Sequence, residues 1–238
     1  MRNLRKFNTE AEYSAATLNY PSVAWIVSGD TFHYDKEEPQ PEPAYGGLTV
    51  KYYIADPSVE VTLFNGGGAS SSSSGSDSGS GGGGAMPTTM IVDGVEETPI
   101  NTWRFETSGE HIVQYAFENN IINVSFYGIN EITEVVVGDD ITEIATLTNN
   151  GVFYQCTGLT SATIGSGITK IGASAFAMCG SLTSVTSLAT TPPYLDSGNA
   201  FTINANYPIY VPSGSVDEYK FSTTTGWHIY ASRIEAIR

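Results

Sequence analysis

The chain has 238 residues, 40% of them hydrophobic, with Lys+Arg 10 against Asp+Glu 25 and a formal charge of −15. That apolar content is enough for real cores and excludes a disordered polypeptide. Only Arg104, Lys170 and Lys220 are basic between Tyr52 and Ser232, so phosphate backbones are repelled along nearly the whole length and nucleic acid is excluded as a ligand.

In chain order, a basic cluster of Arg2, Arg5 and Lys6 comes first, but Asn8, Glu10 and Glu12 follow where an apolar export segment would begin. The apolar run Val23 to Val27 is too short to cross a bilayer, so neither export nor membrane insertion is expected, and the chain is expected to be made in the cytosol. Thr9 and Glu12 form a capping box that predicts a short helix over 9–18, and "SVAWIV" and "TFHYD" predict a hairpin around Gly29-Asp30. This helix-hairpin module, residues 1–36, is too small to hold its own core and is expected to dock on a partner.

Pro39, Pro41 and Pro43 mark a semi-rigid spacer over 37–43. Alternating stretches "LTVKYYI", "VEVTLF", "TMIVDGV", "NTWRFET" and "EHIVQYAF" then predict a small antiparallel β-sandwich over 44–126. Within it, residues 66–84 hold nine Gly and eight Ser, a flexible coil that is either a long loop inside the sandwich or a linker.

A repeat follows. "ITEVVVGDDITEI" at 132–144 matches "LTSATIGSGITKI" at 159–171, and each is followed by Phe, two residues and Cys, "FYQC" at 153–156 and "FAMC" at 176–179. A third copy opens at "LTSVTS", 182–187, and stops. Alternate side chains of each short strand point one way, Gly138 and Gly165 are expected to permit the corner after it, and stacked copies share a core. The expected core positions are Ile132, Val135, Val137, Ile141, Ile144, Phe153, Cys156, Leu159, Ile164, Ile168, Ile171, Phe176, Cys179 and Leu182. Cys156 and Cys179 occupy equivalent positions; buried free thiols are favoured over a disulfide. Residues 191–238 are expected to cap the stack, with a second capping box, Ser215 and Glu218, starting a helix through "VDEYKF".

No catalytic or cofactor site emerges. His33, His111 and His228 are far apart, without metal-ligand spacing. "GSGITK", 165–170, lacks the phosphate-loop pattern; Ser174 in "GASAF" lacks the second Gly of a nucleophile elbow; Glu37-Glu38 and Glu96-Glu97 are adjacent pairs in polar segments. No cofactor or metal and no enzymatic activity are expected.

The repeat "LTSATIGSGITKIGASAFAMCGSLTSVT" resembles the BspA-like leucine-rich repeats over 127–190, and "YPIYVPSGSVDEYKFSTTTGWHIYASRIEAIR" resembles the closing segment that follows such repeats. "LRKFNTEAEYSAATLNYPSVAWIV" resembles N-terminal segments of virion proteins in phages of gut Bacteroidales. These resemblances imply a mainly β, multidomain protein of the virion surface, a head fibre or capsid decoration protein. It would attach to capsid or other virion proteins through residues 1–36 and present 127–238 to host-surface glycan or protein. A homo-oligomer, dimer or trimer, would add avidity. The alternative reading is a bacterial cell-surface adhesin of the same repeat family.

Overall fold

The computed structural model describes the strand pairing of residues 6–7, 25–28 and 31–34, and then residues 47–65, 86–147, 151–197, 199–202 and 205–237. The chain divides into two compact units, Met1–Ala44 with Asp93–Val95, and Tyr45–Val92 with Glu96–Arg238. In the first, β1 (Lys6–Phe7) pairs in parallel with β2 (Trp25–Ser28), which pairs antiparallel with β3 (Thr31–Tyr34) in the register Trp25 to Tyr34 and Ser28 to Thr31. The expected helix over 9–18, the proline spacer and the Gly/Ser segment 66–84 lie outside the described residues.

Next in the chain come strands β4 (Leu48–Ile54), β5 (Val61–Thr62), β6 (Thr89–Val92), β7 (Val95–Glu97), β8 (Thr102–Trp103) and β9 (Gly109–Ala116), all in the larger unit except Val95 of β7. The repeats follow as β10 (Ile121–Ile122), β11 (Ile132–Val137), β12 (Glu143–Ile144), β13 (Ser161–Ile164), β14 (Lys170–Ile171), β15 (Ser184–Ser187) and β16 (Tyr194–Leu195). The chain closes with β17 (Ile209–Val211), the helix α1 (Val216–Phe221), a 3-10 segment Trp227–Arg233 and β18 (Ile234–Ala236).

Each repeat gives one strand to each of two sheets. The larger sheet has the order β18-β17-β15-β13-β11-β4-β9-β6-β7, parallel from β18 to β11 and antiparallel from β11 through β4 and β9 to β6. The smaller sheet, β10-β12-β14-β16, is parallel throughout. In β13 and β15 burial alternates along the strand, as period-2 geometry requires, so Ala162, Ile164 and Val185 enter the core while Ser161, Thr163 and Thr186 face out.

A separate sandwich over 44–126 is not what forms. Strands β4, β9 and β6 extend the repeat sheet itself, and the buried residues from Leu48 to Ile234 make one continuous cluster. The physical reason lies at β11: as the first long parallel strand it has an edge of unpaired N–H and C=O groups, and β4 satisfies it in register, Val135 opposite Val50. Alternation along β4 and β9 marks which face is buried; it does not name the neighbouring strand.

The repeat also extends further than its sequence pattern. Before Phe153 comes a rung made by β10 and Phe126, and after Phe176 the third copy continues through β16 to Phe201, whose backbone bridges to Phe176. Phe126, Phe153, Phe176 and Phe201 stack at 5.0, 5.1 and 5.6 Å between ring centres, forming the spine of the core.

The corner glycines have a different role from the one expected. A Cβ on Gly165 would lie 2.5 Å from the carbonyl oxygen of Gly138, so it is the close approach of successive rungs that demands glycine there. At the closing end the helix runs from Val216 as the "VDEYKF" pattern suggests, but Ser215 does not cap it. Its hydroxyl donates instead to the Thr190 carbonyl at 2.6 Å, tying the helix to the third rung.

Candidate interaction surface

The outer face of the larger sheet is built by the same alternation that fills the core. In register across it run Glu235, Tyr210, Thr186, Thr163, Val136 and Thr49, and beside them Ser184, Ser161, Glu134 and Lys51. Neighbouring strands lie about 4.8 Å apart, so these hydroxyls form two regular rows. Lys51 Nζ sits 2.9 Å from Glu134 Oε2, and that hydrogen bond, more than the wider field, raises the lysine above its ordinary value. Tyr53, at the end of β4, is 54% exposed beyond this ion pair. The face carries donors and acceptors, one compensated charge pair and few large apolar groups, a surface suited to polar contacts.

The ladder continues along the edges. Thr160 Oγ1 donates to Thr133 O at 2.8 Å and Thr183 Oγ1 to Thr160 O at 2.9 Å, each one rung back. On the smaller sheet Lys170 Nζ lies between Glu143 (3.1 Å) and Asp196 (3.3 Å), which raises the lysine chiefly through the Glu143 bond. Asp196 also accepts from the Thr146 hydroxyl, the main cause of its lowered value. Lys170, the lysine of "GSGITK", is therefore a rung-to-rung tie.

Directly after Phe126 and Phe153, a second aromatic pair stands outside the core. Tyr127 and Tyr154 stack at 5.8 Å with 24° between their planes, and Tyr127 is 41% exposed. Tyr127 borders a shallow depression whose polar lining comes from Glu60, Thr62, Asn65, Asn130 and Glu131. The segment following β5 reaches it because Asn65 bridges antiparallel to Ser125 and its Nδ2 donates to Tyr127 O at 2.8 Å. The expected site residues did not include these. The signal was the shared Phe-Tyr of "FYGI" at 126–129 and "FYQC" at 153–156.

Of the named core positions, Ile132, Val135, Val137, Ile141, Ile144, Phe153, Cys156, Leu159, Ile164, Ile168, Ile171, Phe176, Cys179 and Leu182 are all buried in the single core. Cys156 and Cys179 are free thiols. Each donates one rung back, Cys156 Sγ to Phe126 O at 3.0 Å and Cys179 Sγ to Phe153 O at 3.1 Å. Burial pushes both thiols up, that of Cys179 to about 12, so neither is a thiolate nucleophile at neutral pH.

The histidines are not brought together. His111 is buried, tilted against Phe105 at 4.3 Å between ring centres with Nε2 2.9 Å from Thr107 O, whereas His228 is exposed with Nδ1 3.3 Å from Ser222 O. His33 lies in β3 of the other unit. Ser174 adopts a left-handed φ of 56° and accepts from Asn199 Nδ2 at 2.9 Å. Among the described residues no group of three or more His, Cys, Asp or Glu side chains is placed to hold a metal ion, and no helix is long and apolar enough to cross a membrane.

Residues 119–224 match the BspA type leucine rich repeat region family, in six copies, a span that reaches beyond the intact sequence repeats at both ends. The chain is similar to that family over this stretch. No curated protein matches the chain.

Proposed function

We propose that the protein is a structural and interaction component of a phage particle, a head fibre or capsid decoration protein, displaying its repeat body for contact with host-surface glycan or protein. The observation that carries this reading is the division of the chain into a small N-terminal unit and a large repeat-bearing one. The small unit opens on a basic cluster, Arg2, Arg5 and Lys6, three of the chain's ten basic residues, of a kind that the remainder lacks. A module of that size, with a basic cluster at its start, fits attachment to a partner surface, and the repeat body fits display. The resemblance of the first residues to virion proteins points the same way.

Attachment in several copies, as a dimer or trimer, would turn weak single contacts into useful avidity, on the order of 10² to 10⁴. The −15 charge would keep neighbouring copies from adhering to one another. Deleting residues 1–36 tests the reading. Incorporation into particles is expected to be abolished while the body keeps its melting transition; normal incorporation of the truncated chain would overturn it. The family match favours a second reading, a bacterial cell-surface adhesin, which predicts co-purification with the outer membrane instead of with particles.

A further inference from the structure

We infer that the depression beside Tyr127 is a subsite for a neutral pyranose ring. The inference rests on the reading of the chain as a binding protein and adds the place and the ligand class. Tyr127 is the last ring of the outer aromatic pair: Tyr154 covers one side of it and the depression adjoins it. Its backbone is pinned, with Tyr127 N donating to Ser125 Oγ at 3.2 Å, Asn65 Nδ2 donating to Tyr127 O at 2.8 Å and Gly128 N donating to Tyr154 O at 3.0 Å. A ring held in place before the ligand arrives loses little entropy on binding.

The polar lining has bonding capacity left over. Glu60 uses Oε1 to accept from Thr102 at 2.9 Å and keeps its other oxygen. Asn130 uses Oδ1 to accept from the Thr157 hydroxyl at 2.5 Å and keeps its amide N–H groups. Asn65 spends one N–H on Tyr127 and keeps its carbonyl, and the exposed Glu131 carboxylate adds further acceptors. Mixed donors and acceptors beside an aromatic face are what a sugar ring uses, since each hydroxyl both donates and accepts while one ring face presents C–H groups to the π-system.

Competing ligands fit less well. An apolar side chain would cover Tyr127 and leave two carboxylates and two amides desolvated without partners. A lysine or arginine would satisfy the carboxylates and leave the Asn130 amide N–H groups without an acceptor, because a cation only donates. Acidic sugars and phosphates meet Glu60, Glu131 and the −15 field.

The test is a saturation-transfer NMR titration of the full-length protein with neutral trisaccharides (cellotriose, maltotriose, N-acetylchitotriose), with sialyllactose and with trilysine. At least one neutral sugar is expected to bind and sialyllactose is not. Tyr127→Ala is expected to weaken binding by about tenfold or more with an unchanged melting transition, and Tyr127→Phe to retain it. Glu131→Gln should keep neutral-sugar binding and begin to admit sialyllactose. Absence of binding by every neutral sugar, binding indifferent to Tyr127→Ala, or salt-sensitive capture of trilysine in preference to sugars would each overturn the inference. A chain that rides on particles yet binds none of these sugars overturns the subsite alone. Sugar binding by a chain never found on particles overturns the particle reading alone.

Discussion

The parallel strands β11, β13 and β15 and the antiparallel strands β4, β9 and β6 share one sheet and hold their places by different means. In the parallel part the recurring contacts are translations by one rung. Threonine hydroxyls reach back to threonine carbonyls, thiols to phenylalanine carbonyls, and the phenylalanines stack within 17° of parallel. In the antiparallel part the contacts are individual and follow no fixed sequence interval. Tyr52 donates to Leu63 O at 2.6 Å and meets the Tyr115 hydroxyl at 3.0 Å, and Gly47 N donates to Asp140 Oδ1 at 2.5 Å. The aromatics turn with the change of regime: Tyr115 meets Phe126 at 65° and Phe64 meets Tyr115 at 90°. The far end closes in a similar way, with Tyr230 edge-on to Phe201 at 82° and Trp227 tilted at 43°. Parallel stacking propagates a repeat, and edge-on packing ends it, so the strands before β10 act as the solenoid's first lid.

The hardest blow to this arrangement is Ile171→Asp, which puts an unpaired carboxylate into the shared core where Ile171 is fully buried. We expect a loss of about 4–5 kcal/mol or more in denaturant unfolding, whereas Lys170→Ser beside it, removing a surface ion pair, costs under about 1 kcal/mol. An Ile171→Asp protein with unchanged melting would mean that the rungs do not stack.

Glycine substitutions sharpen the contrast next. On Gly47 a Cβ would lie 2.3 Å from Tyr115 O and the φ of +122° is unsuited to an L side chain. Gly165 suffers only the close approach. Each Ala variant is expected to lose roughly 1–3 kcal/mol, with Gly47→Ala the larger because two penalties add there. Equal melting of the two would remove the distinction between a unique antiparallel joint and a repeated corner.

Smaller still is the buried hydroxyl pair. Tyr52→Phe strands both Leu63 O and the Tyr115 hydroxyl and should cost about 1–3 kcal/mol; Tyr115→Phe removes only one bond and should cost less. A double-mutant cycle giving no coupling between them would show that the joint does not depend on that contact.

The least effect comes from pH. Asp139 is held below the ordinary 3.8 mainly by the Ser166 N–H, and Asp196 mainly by the Thr146 hydroxyl, so their stabilisation is present above that value and is lost as pH falls through the lowered folded values. Lys51 and Lys170 are raised above 10.5 by Glu134 and Glu143, so theirs is present below that value and is lost as pH rises past the raised ones. Both ion pairs lie on the surface, and melting should stay level from about pH 5 to about pH 9, with shallow declines outside. A step near neutrality would point to a histidine contribution that this account does not contain.

The mainly β class and the leucine-rich repeat could be read from sequence because Ile144 and Ile171, Phe153 and Phe176, and Cys156 and Cys179 recur with their spacing nearly intact. The outer rungs could not. Tyr194, Leu195 and Phe201 follow Pro192-Pro193 without a repeated glycine, and their register is held by backbone bonds that any residue supplies, such as Tyr194 N to Thr169 O at 2.8 Å. The joint of β4 to β11 was hidden for a related reason: alternation gives each strand a buried face, and the choice of neighbour depends on a pairing more than eighty residues apart, Lys51 with Glu134. At the candidate surface, Tyr127 and Tyr154 were visible as a recurring dipeptide, while the Asn65 wall of the depression required the bridge to Ser125.

The claim that the antiparallel strands and the repeats are one body is tested most directly by comparing two fragments, 45–238 and 127–238, in thermal unfolding followed by circular dichroism and in light scattering. Fragment 45–238 is expected to melt as the full chain's body does, whereas 127–238, stripped of Phe126 and with the β11 edge bare, is expected to show no cooperative transition and to associate. A monomeric 127–238 fragment that melts cooperatively at the temperature of 45–238 would contradict it and restore a domain boundary near residue 126.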